Sequence, residues 1–131
     1  MIEFIRVISY EGCASTGILN ISNIDMNSLK GKDVILIEDI IDSGTTLNKL
    51  ISKIKNEANP NSLELCSLLV KRLPTDNDLS ISGKTKGATK YAGFSIPDLF
   101  VIGYGLDCNE WYRDLSDIWV ISKMGEKFAL S

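Results

Sequence analysis

There is no histidine among the 131 residues. That excludes a Ser-His or Cys-His catalytic pair, His-ligated zinc or haem, and any imidazole proton shuttle. Acid–base work near neutral pH must then fall to carboxylates, lysines, tyrosines, cysteines or water. Cysteine is scarce. Cys13, Cys66 and Cys108 are odd in number, far apart and without a CxxC pair. They give neither a disulfide framework nor a zinc site, and read as free thiols of a reducing compartment. No apolar run reaches the ~18 residues that a membrane span needs. The start, MIEFIRVISY, has no basic flank, no long apolar stretch and no small-residue cleavage site, so it does not read as a signal peptide. The default expectation is the cytoplasm. A net charge of −3 argues against a general electrostatic grip on nucleic acid or anionic lipid.

What remains is an ordinary globular composition, 44% hydrophobic and 24% charged, at a length that suits one domain. Residues 2–9, IEFIRVIS, read as a strand. Residues 10–32 are polar and punctuated by glycine, and read as a long loop with one short helical turn, a length that marks function or mobility. Val34-Ile-Leu-Ile37 lacks alternation and fits a strand buried on both faces, as in a parallel sheet. From Thr46 the period changes. Leu47, Leu50, Ile51, Ile54 and Ala58 form one helical stripe, ended by Asn59-Pro60. Ser62–Val70 is the next strand, so residues 34–70 make one βαβ unit with a parallel pair. Residues 72–90 read as a surface excursion. Tyr91–Phe94 and Leu99–Tyr104 read as strands, Ile96-Pro97-Asp98 as a turn, and Ile118–Ile121 as the last strand. The class is α/β.

One stretch carries chemistry: Glu38-Asp39-Ile40-Ile41-Asp42-Ser43-Gly44-Thr45-Thr46. It lies where ligands bind in open α/β sheets, past the carboxyl end of a strand and at a helix amino terminus. Residues 42–46 can aim backbone N–H groups and the positive end of the helix dipole at one point, and Ser43, Thr45 and Thr46 add hydroxyl donors. Gly44 permits positive φ and close approach of a ligand. This is a phosphate cradle, but neither a Walker A loop nor a GxGxxG fingerprint. Two acids before a phosphate cradle would repel the phosphate. They make sense if a sugar needs hydroxyl acceptors or a divalent cation also binds, and a phosphorylated ribose with Mg²⁺ fits both. The bland alternative is that Glu38 and Asp39 only solvate the loop.

VILIEDIIDSGTTL resembles the phosphoribosyl-pyrophosphate motif of type I phosphoribosyltransferases. Leu68–Arg72, Gly93–Asp98, Phe100–Asp107, Glu110, Tyr112–Leu115 and Val120–Ser122 follow in the order of the hypoxanthine-guanine phosphoribosyltransferase family, and Phe4–Tyr10 resembles the start of its mobile catalytic loop. The likeness runs from Ile2 to about Phe128. It implies a type I fold, a parallel sheet flanked by helices, with residues 10–32 as the mobile loop region and 72–90 as a surface insertion. The implied activity is purine salvage, Mg²⁺-dependent phosphoribosyl transfer from phosphoribosyl pyrophosphate to N9 of hypoxanthine or guanine.

The resemblance also implies roles. Glu38 and Asp39 hold ribose hydroxyls and reach the metal, with Asp107 a further Mg²⁺ ligand. Asp42 exchanges a proton with purine N7. Ser43, Gly44, Thr45 and Thr46 bind the 5′-phosphate. Lys71 donates to the purine O6, Phe100 stacks on the base, and Val101 and Asp107 read the base edge. Arg113 contacts pyrophosphate. Ser9 and Tyr10 close over the site. The bland readings are a snorkelling Lys71, a core Phe100, a turn-capping Asp107 and an Arg113 paired with Asp114 or Asp117. The family's amino-terminal portion, with its Lys-Gly loop, has no equivalent here, so the chain is expected to be an amino-terminally truncated form. The full-length protein is expected to be a homodimer or homotetramer. The competing reading is a non-catalytic relative that binds phosphoribosyl pyrophosphate or nucleotide, or an inactive fragment.

Overall fold

The computed structural model describes residues 2–9, 19–22, 25–74 and 89–131. They fall into two compact units, Met1–Ser95 and Ile96–Ser131.

In the first unit β1 (Arg6–Ser9) pairs antiparallel with β2 (Leu19–Ser22), Val7 opposite Ile21. A 3-10 helix follows at Met26–Leu29, where Asp25 Oδ1 accepts the Asn27 N–H at 3.0 Å. The described part of 10–32, expected as loop with one short helical turn, holds that turn as the 3-10 helix and, beyond the expectation, the strand β2. Then come β3 (Asp33–Ile41), α1 (Thr45–Ala58), β4 (Ser62–Arg72) and β5 (Thr89–Pro97). The sheet order is β3-β4-β5. β3 and β4 are parallel, in a register running from Asp33 opposite Ser62 to Ile41 opposite Val70. Asp33 pins the start of that register, its Oδ1 accepting from Asn61 Nδ2 at 2.6 Å and Ser62 Oγ at 2.7 Å.

The core lies between α1 and the sheet. Leu47, Leu50, Ile51, Ile54 and Ala58 are the buried residues of α1, the same stripe that the sequence spacing predicts. They pack with Leu36, Ile41, Leu63, Leu65 and Val70. The expectation that β3 is buried on both faces is corrected. Ile35 is 60% exposed and Ile37 80%. Alternate strand residues face opposite ways, and at Ile35 and Ile37 the face away from α1 is open, so Val34-Ile-Leu-Ile37 is half-buried despite its unbroken apolar run.

The second unit is built on β6 (Val101–Ile102) and β7 (Trp119–Val120), antiparallel with Val101 opposite Val120. The predicted strand at Leu99–Tyr104 shrinks to two residues because Gly103, Tyr104 and Gly105 all take positive φ, which no strand allows. A second helix, α2 (Lys123–Leu130), was not expected. Ser122 caps it, its Oγ accepting the Gly125 N–H at 3.1 Å. Ile102, Cys108 and Ala129 form this unit's buried cluster, with Tyr112, Leu115 and Ile121 against it. Among the described residues no helix is long and apolar enough to cross a membrane.

Candidate functional site

Register places the first unit's candidates. Because Ile41 lies opposite Val70, the next residues, Asp42 and Lys71, emerge together past the carboxyl ends of a parallel pair. Lys71 Nζ lies 3.0 Å from Asp42 Oδ2. The lysine is buried, only 9% exposed, so it is not a snorkelling surface residue. The carboxylate of Asp42 is more than half exposed. A buried cation thus meets an accessible acid.

Gly44 joins the strand to the helix. It is buried, with φ 75° and ψ 1°, a left-handed conformation that a Cβ disfavours. This turn lets α1 start at Thr45, where the N-cap residue, Gly44, has no side chain to cap the helix and no acid stands in its first turn. Ser43 Oγ accepts the Thr45 N–H at 3.3 Å and donates to Thr45 Oγ1 at 3.1 Å. Helix geometry leaves the first N–H groups of α1 without intrahelical partners. Beside this turn a groove of about 1080 Å³ follows β3, lined by Glu38, Asp42, Ser43, Gly44, Thr45 and Thr46 among others.

The two acids are not placed as a pair at a strand end. β3 continues to Ile41, so Glu38 and Asp39 lie inside the strand and point to opposite faces. Glu38 lines the groove, half-buried. Burial pushes its carboxyl above the ordinary range, and the charge of Asp39 adds to that. Asp39 is exposed, and its Oδ1 accepts the N–H of Ile40 at 2.6 Å.

The second unit holds the other candidates. Phe100 is 49% exposed, which rules out the core reading, and its carbonyl accepts the Ile121 N–H at 3.0 Å. Val101 is half-buried in β6. After β6 the chain makes two tight hairpins. Gly103 and Leu106 exchange backbone hydrogen bonds of 2.9 and 3.0 Å around Tyr104-Gly105. Cys108 and Trp111 exchange bonds of 3.1 and 3.0 Å around Asn109-Glu110. All four central residues have positive φ, from 51° to 94°, as the mirror-image type I′ turn requires. Gly103 is obligatory for a second reason: a Cβ there would collide with the carbonyl oxygen of Asp117.

Asp107 lies between the hairpins. Its Oδ2 accepts the Glu110 N–H at 2.7 Å, so it does cap a turn. Its Oδ1 is 3.1 Å from Arg113 Nη2. Arg113 also reaches Glu110 and the Gly105 carbonyl; its partners are Asp107 and Glu110 rather than Asp114 or Asp117. The sequence reading did not pair Glu110 with Arg113; the signal available was the i, i+3 separation of opposite charges.

Ser9 is the last residue of β1. Tyr10 lies outside the described residues, as does 75–88, most of the expected insertion.

A family model described as a phosphoribosyl transferase domain matches residues 2–109. The chain belongs to the phosphoribosyl transferase domain family. Within that family, the parallel β3–β4 pair flanked by α1 is the type I arrangement that the motif implied. The chain is 44% identical to a hypoxanthine-guanine phosphoribosyltransferase of Canis lupus familiaris, over 95% of its own length and 54% of the relative's. It is 39% identical to phosphoribosyltransferase domain-containing protein 1 of Homo sapiens, over 96% of its own length and 52% of the relative's. A solved hypoxanthine phosphoribosyltransferase from Staphylococcus aureus superposes with a TM-score of 0.72 at 38% identity, covering 93% of this chain and 62% of that one. The chain thus spans about half the length of the curated relatives it matches.

Proposed function

We propose that this phosphoribosyl transferase domain serves purine salvage, transferring 5-phosphoribosyl from phosphoribosyl pyrophosphate to N9 of hypoxanthine or guanine. The products are IMP or GMP and pyrophosphate. The observation that carries the reading is the juxtaposition in the first unit: a left-handed glycine opening an uncapped helix, with the buried Lys71 against Asp42 beside it.

The chemistry follows from donor and acceptor types. The uncapped N–H groups of α1 and the hydroxyls of Ser43, Thr45 and Thr46 bind the 5′-phosphate. Glu38, which lines the groove, accepts from ribose hydroxyls, and the motif gives Asp39 the same role from the opposite face of β3. Lys71 has donors only, so it accepts a 6-oxopurine at O6 and rejects the amino group of adenine. Asp42, beside that ammonium, takes or returns the proton at N7 as N9 attacks C1 of the ribose. In the second unit Phe100 stacks on the base, Val101 and Asp107 read its edge, and Arg113 faces pyrophosphate. Ser9 and Tyr10 close over the site and exclude water, which would otherwise hydrolyse the ribosyl transition state.

Mg²⁺ fits this donor set, though not as a protein-caged ion. Among the described residues no group of three or more His, Cys, Asp or Glu could hold a metal. Mg²⁺ characteristically takes one or two carboxylates and fills its shell with water and substrate oxygens. The resemblance names Glu38, Asp39 and Asp107 as the candidate carboxylates, of which Glu38 lines the groove. When bound, the ion neutralises charge on the departing pyrophosphate. The chain is expected to work in the cytoplasm, as a homodimer or homotetramer.

The test is nucleotide formation from hypoxanthine, guanine and xanthine with phosphoribosyl pyrophosphate and Mg²⁺, beside calorimetric binding of phosphoribosyl pyrophosphate. Formation of IMP or GMP supports the reading. Binding without nucleotide formation supports the second reading, a non-catalytic relative that binds phosphoribosyl pyrophosphate or nucleotide.

A further inference from the structure

We propose that Arg72 is a positioning residue: it clamps the end of β4 to β5 and so fixes the backbone that carries Lys71. The proposal rests on the reading above, in which the Lys71 ammonium selects a 6-oxopurine. It adds to that reading a specificity residue that touches no substrate.

β4 outruns its first partner. The last rung between β3 and β4 sets Ile41 opposite Val70, yet β4 continues to Arg72. Lys71 therefore stands one residue past the register that places it. On the other side of β4 lies β5. The two strands approach closely, since a Cβ at Gly93 would lie 2.8 Å from the Leu68 carbonyl oxygen. Arg72 ties them at the strand end. Its Nη1 donates to the Ser95 carbonyl at 2.8 Å and to Ser95 Oγ at 3.1 Å. Neighbouring strand residues point to opposite faces, and here Lys71 is buried while Arg72 is exposed. The guanidinium is thus turned away from the Lys71–Asp42 pair and acts on it through the chain.

That action matters because a lysine ammonium rides on a flexible four-carbon stem. Its place depends on its partner, Asp42 at 3.0 Å, and on where its own Cα is held. Strand ends open more readily than strand centres. An ammonium that can drift no longer confronts the amino group of adenine. A loosened strand end should therefore weaken the preference for 6-oxopurines before it weakens the fold.

The experiment compares hypoxanthine with adenine on the full chain. Arg72→Gln should lower the preference for hypoxanthine, the ratio of the two kcat/KM values, about threefold, the share of one net hydrogen bond. The loss should fall on KM for the base, with KM for phosphoribosyl pyrophosphate unchanged. Arg72→Lys, which can still donate to the Ser95 carbonyl, should recover part of it. An arginine that only supports the fold would lower both kcat/KM values alike and leave their ratio as it was. Lys71→Ala supplies the decisive background. There Arg72→Gln should change the ratio no further, because the residue through which it acts is gone. An unchanged ratio in Arg72→Gln, or the same drop with and without Lys71, overturns the proposal. Amide hydrogen exchange needs no substrate. Exchange at Lys71 should speed about threefold in Arg72→Gln, while that of Leu65 in mid-strand stays the same. If the wild-type chain forms no nucleotide, the transferase reading fails. Faster exchange at Lys71 then still upholds the clamp, and unaltered exchange overturns it.

Discussion

The two units aim their side chains by different means. In Met1–Ser95 the backbone does the aiming. Asp42, Lys71 and the turn at Gly44 are where they are because β3 and β4 are in parallel register and α1 is packed on them by Leu50, Ile51 and Ile54. In Ile96–Ser131 the regular elements are short, two strands of two residues each and one helix of eight. There Asp107 and Arg113 are held by hydrogen bonds between turns. The first unit's candidates should therefore answer to core mutations, and the second unit's to polar ones.

The largest expected effect tests that division directly. Leu50 and Ile54 are 1% and 0% exposed. Truncating either to alanine should cost about 2–5 kcal/mol in urea unfolding, through lost transfer energy and an unfilled cavity. Ile102→Ala, in a cluster of only three buried residues, should fall at the low end of that range. Equal losses would mean that the second unit leans on its core as heavily as the first.

Next comes chemistry placed by the backbone. Asp42→Asn should lower kcat about 100-fold, the typical share of a general acid–base group, and leave KM nearly unchanged. Equal loss in both would make Asp42 a binding residue. Lys71→Ala should weaken the preference against adenine; an unaltered preference would remove Lys71 from base recognition.

Two glycines sharpen the comparison further. Gly44→Ala should cost about 1–2 kcal/mol through its left-handed φ alone. Gly103→Ala carries a similar φ penalty and also drives a Cβ into the Asp117 carbonyl, so it should destabilise more in the same urea titration. If the two cost the same, the turns of the second unit can shift to make room, and they are less tightly held than their contacts imply.

These contrasts also explain what was legible beforehand. The α1 stripe was, residue for residue, because one face of that helix meets one sheet and the 3.6-residue period records it. The turn at Gly44 and the helix start after it were legible because Asp42-Ser-Gly-Thr-Thr46 must do local backbone work. The depth of β3 was not. A short apolar run reads alike whether one face is covered or two, and here it continues through both acids to Ile41. Nor was the second unit. Tyr104, Asn109 and Glu110 take positive φ against their own preference, so propensity pointed to strand and loop rather than to hairpins. Helix α2 carries Gly125 in its first turn and runs only eight residues, too short for a clear period. Lys71 was legible by order in the chain, but its burial and its contact with Asp42 needed the register.

The smallest expected effect concerns Glu38, where the first unit departs from its own rule. Its carboxyl is raised above the ordinary value of 4.5, first by burial and then by Asp39. The folded state therefore holds this proton more tightly than the unfolded one. The sign is set by that difference: stability from this group is full at acid pH and declines as pH rises from about 4.5 through the folded value. Glu38→Gln removes the titration. The variant should be more stable than the wild type at neutral pH and lose that advantage in acid, as thermal unfolding across pH would record. Asp39→Asn removes only the lesser cause and should shift the profile less. A bound cation, with phosphoribosyl pyrophosphate, favours the charged carboxylate and should stabilise the wild type more than Glu38→Gln. If Glu38→Gln lowers stability at neutral pH instead, the charged carboxylate is better satisfied than its burial allows, and its place in the cradle is structural.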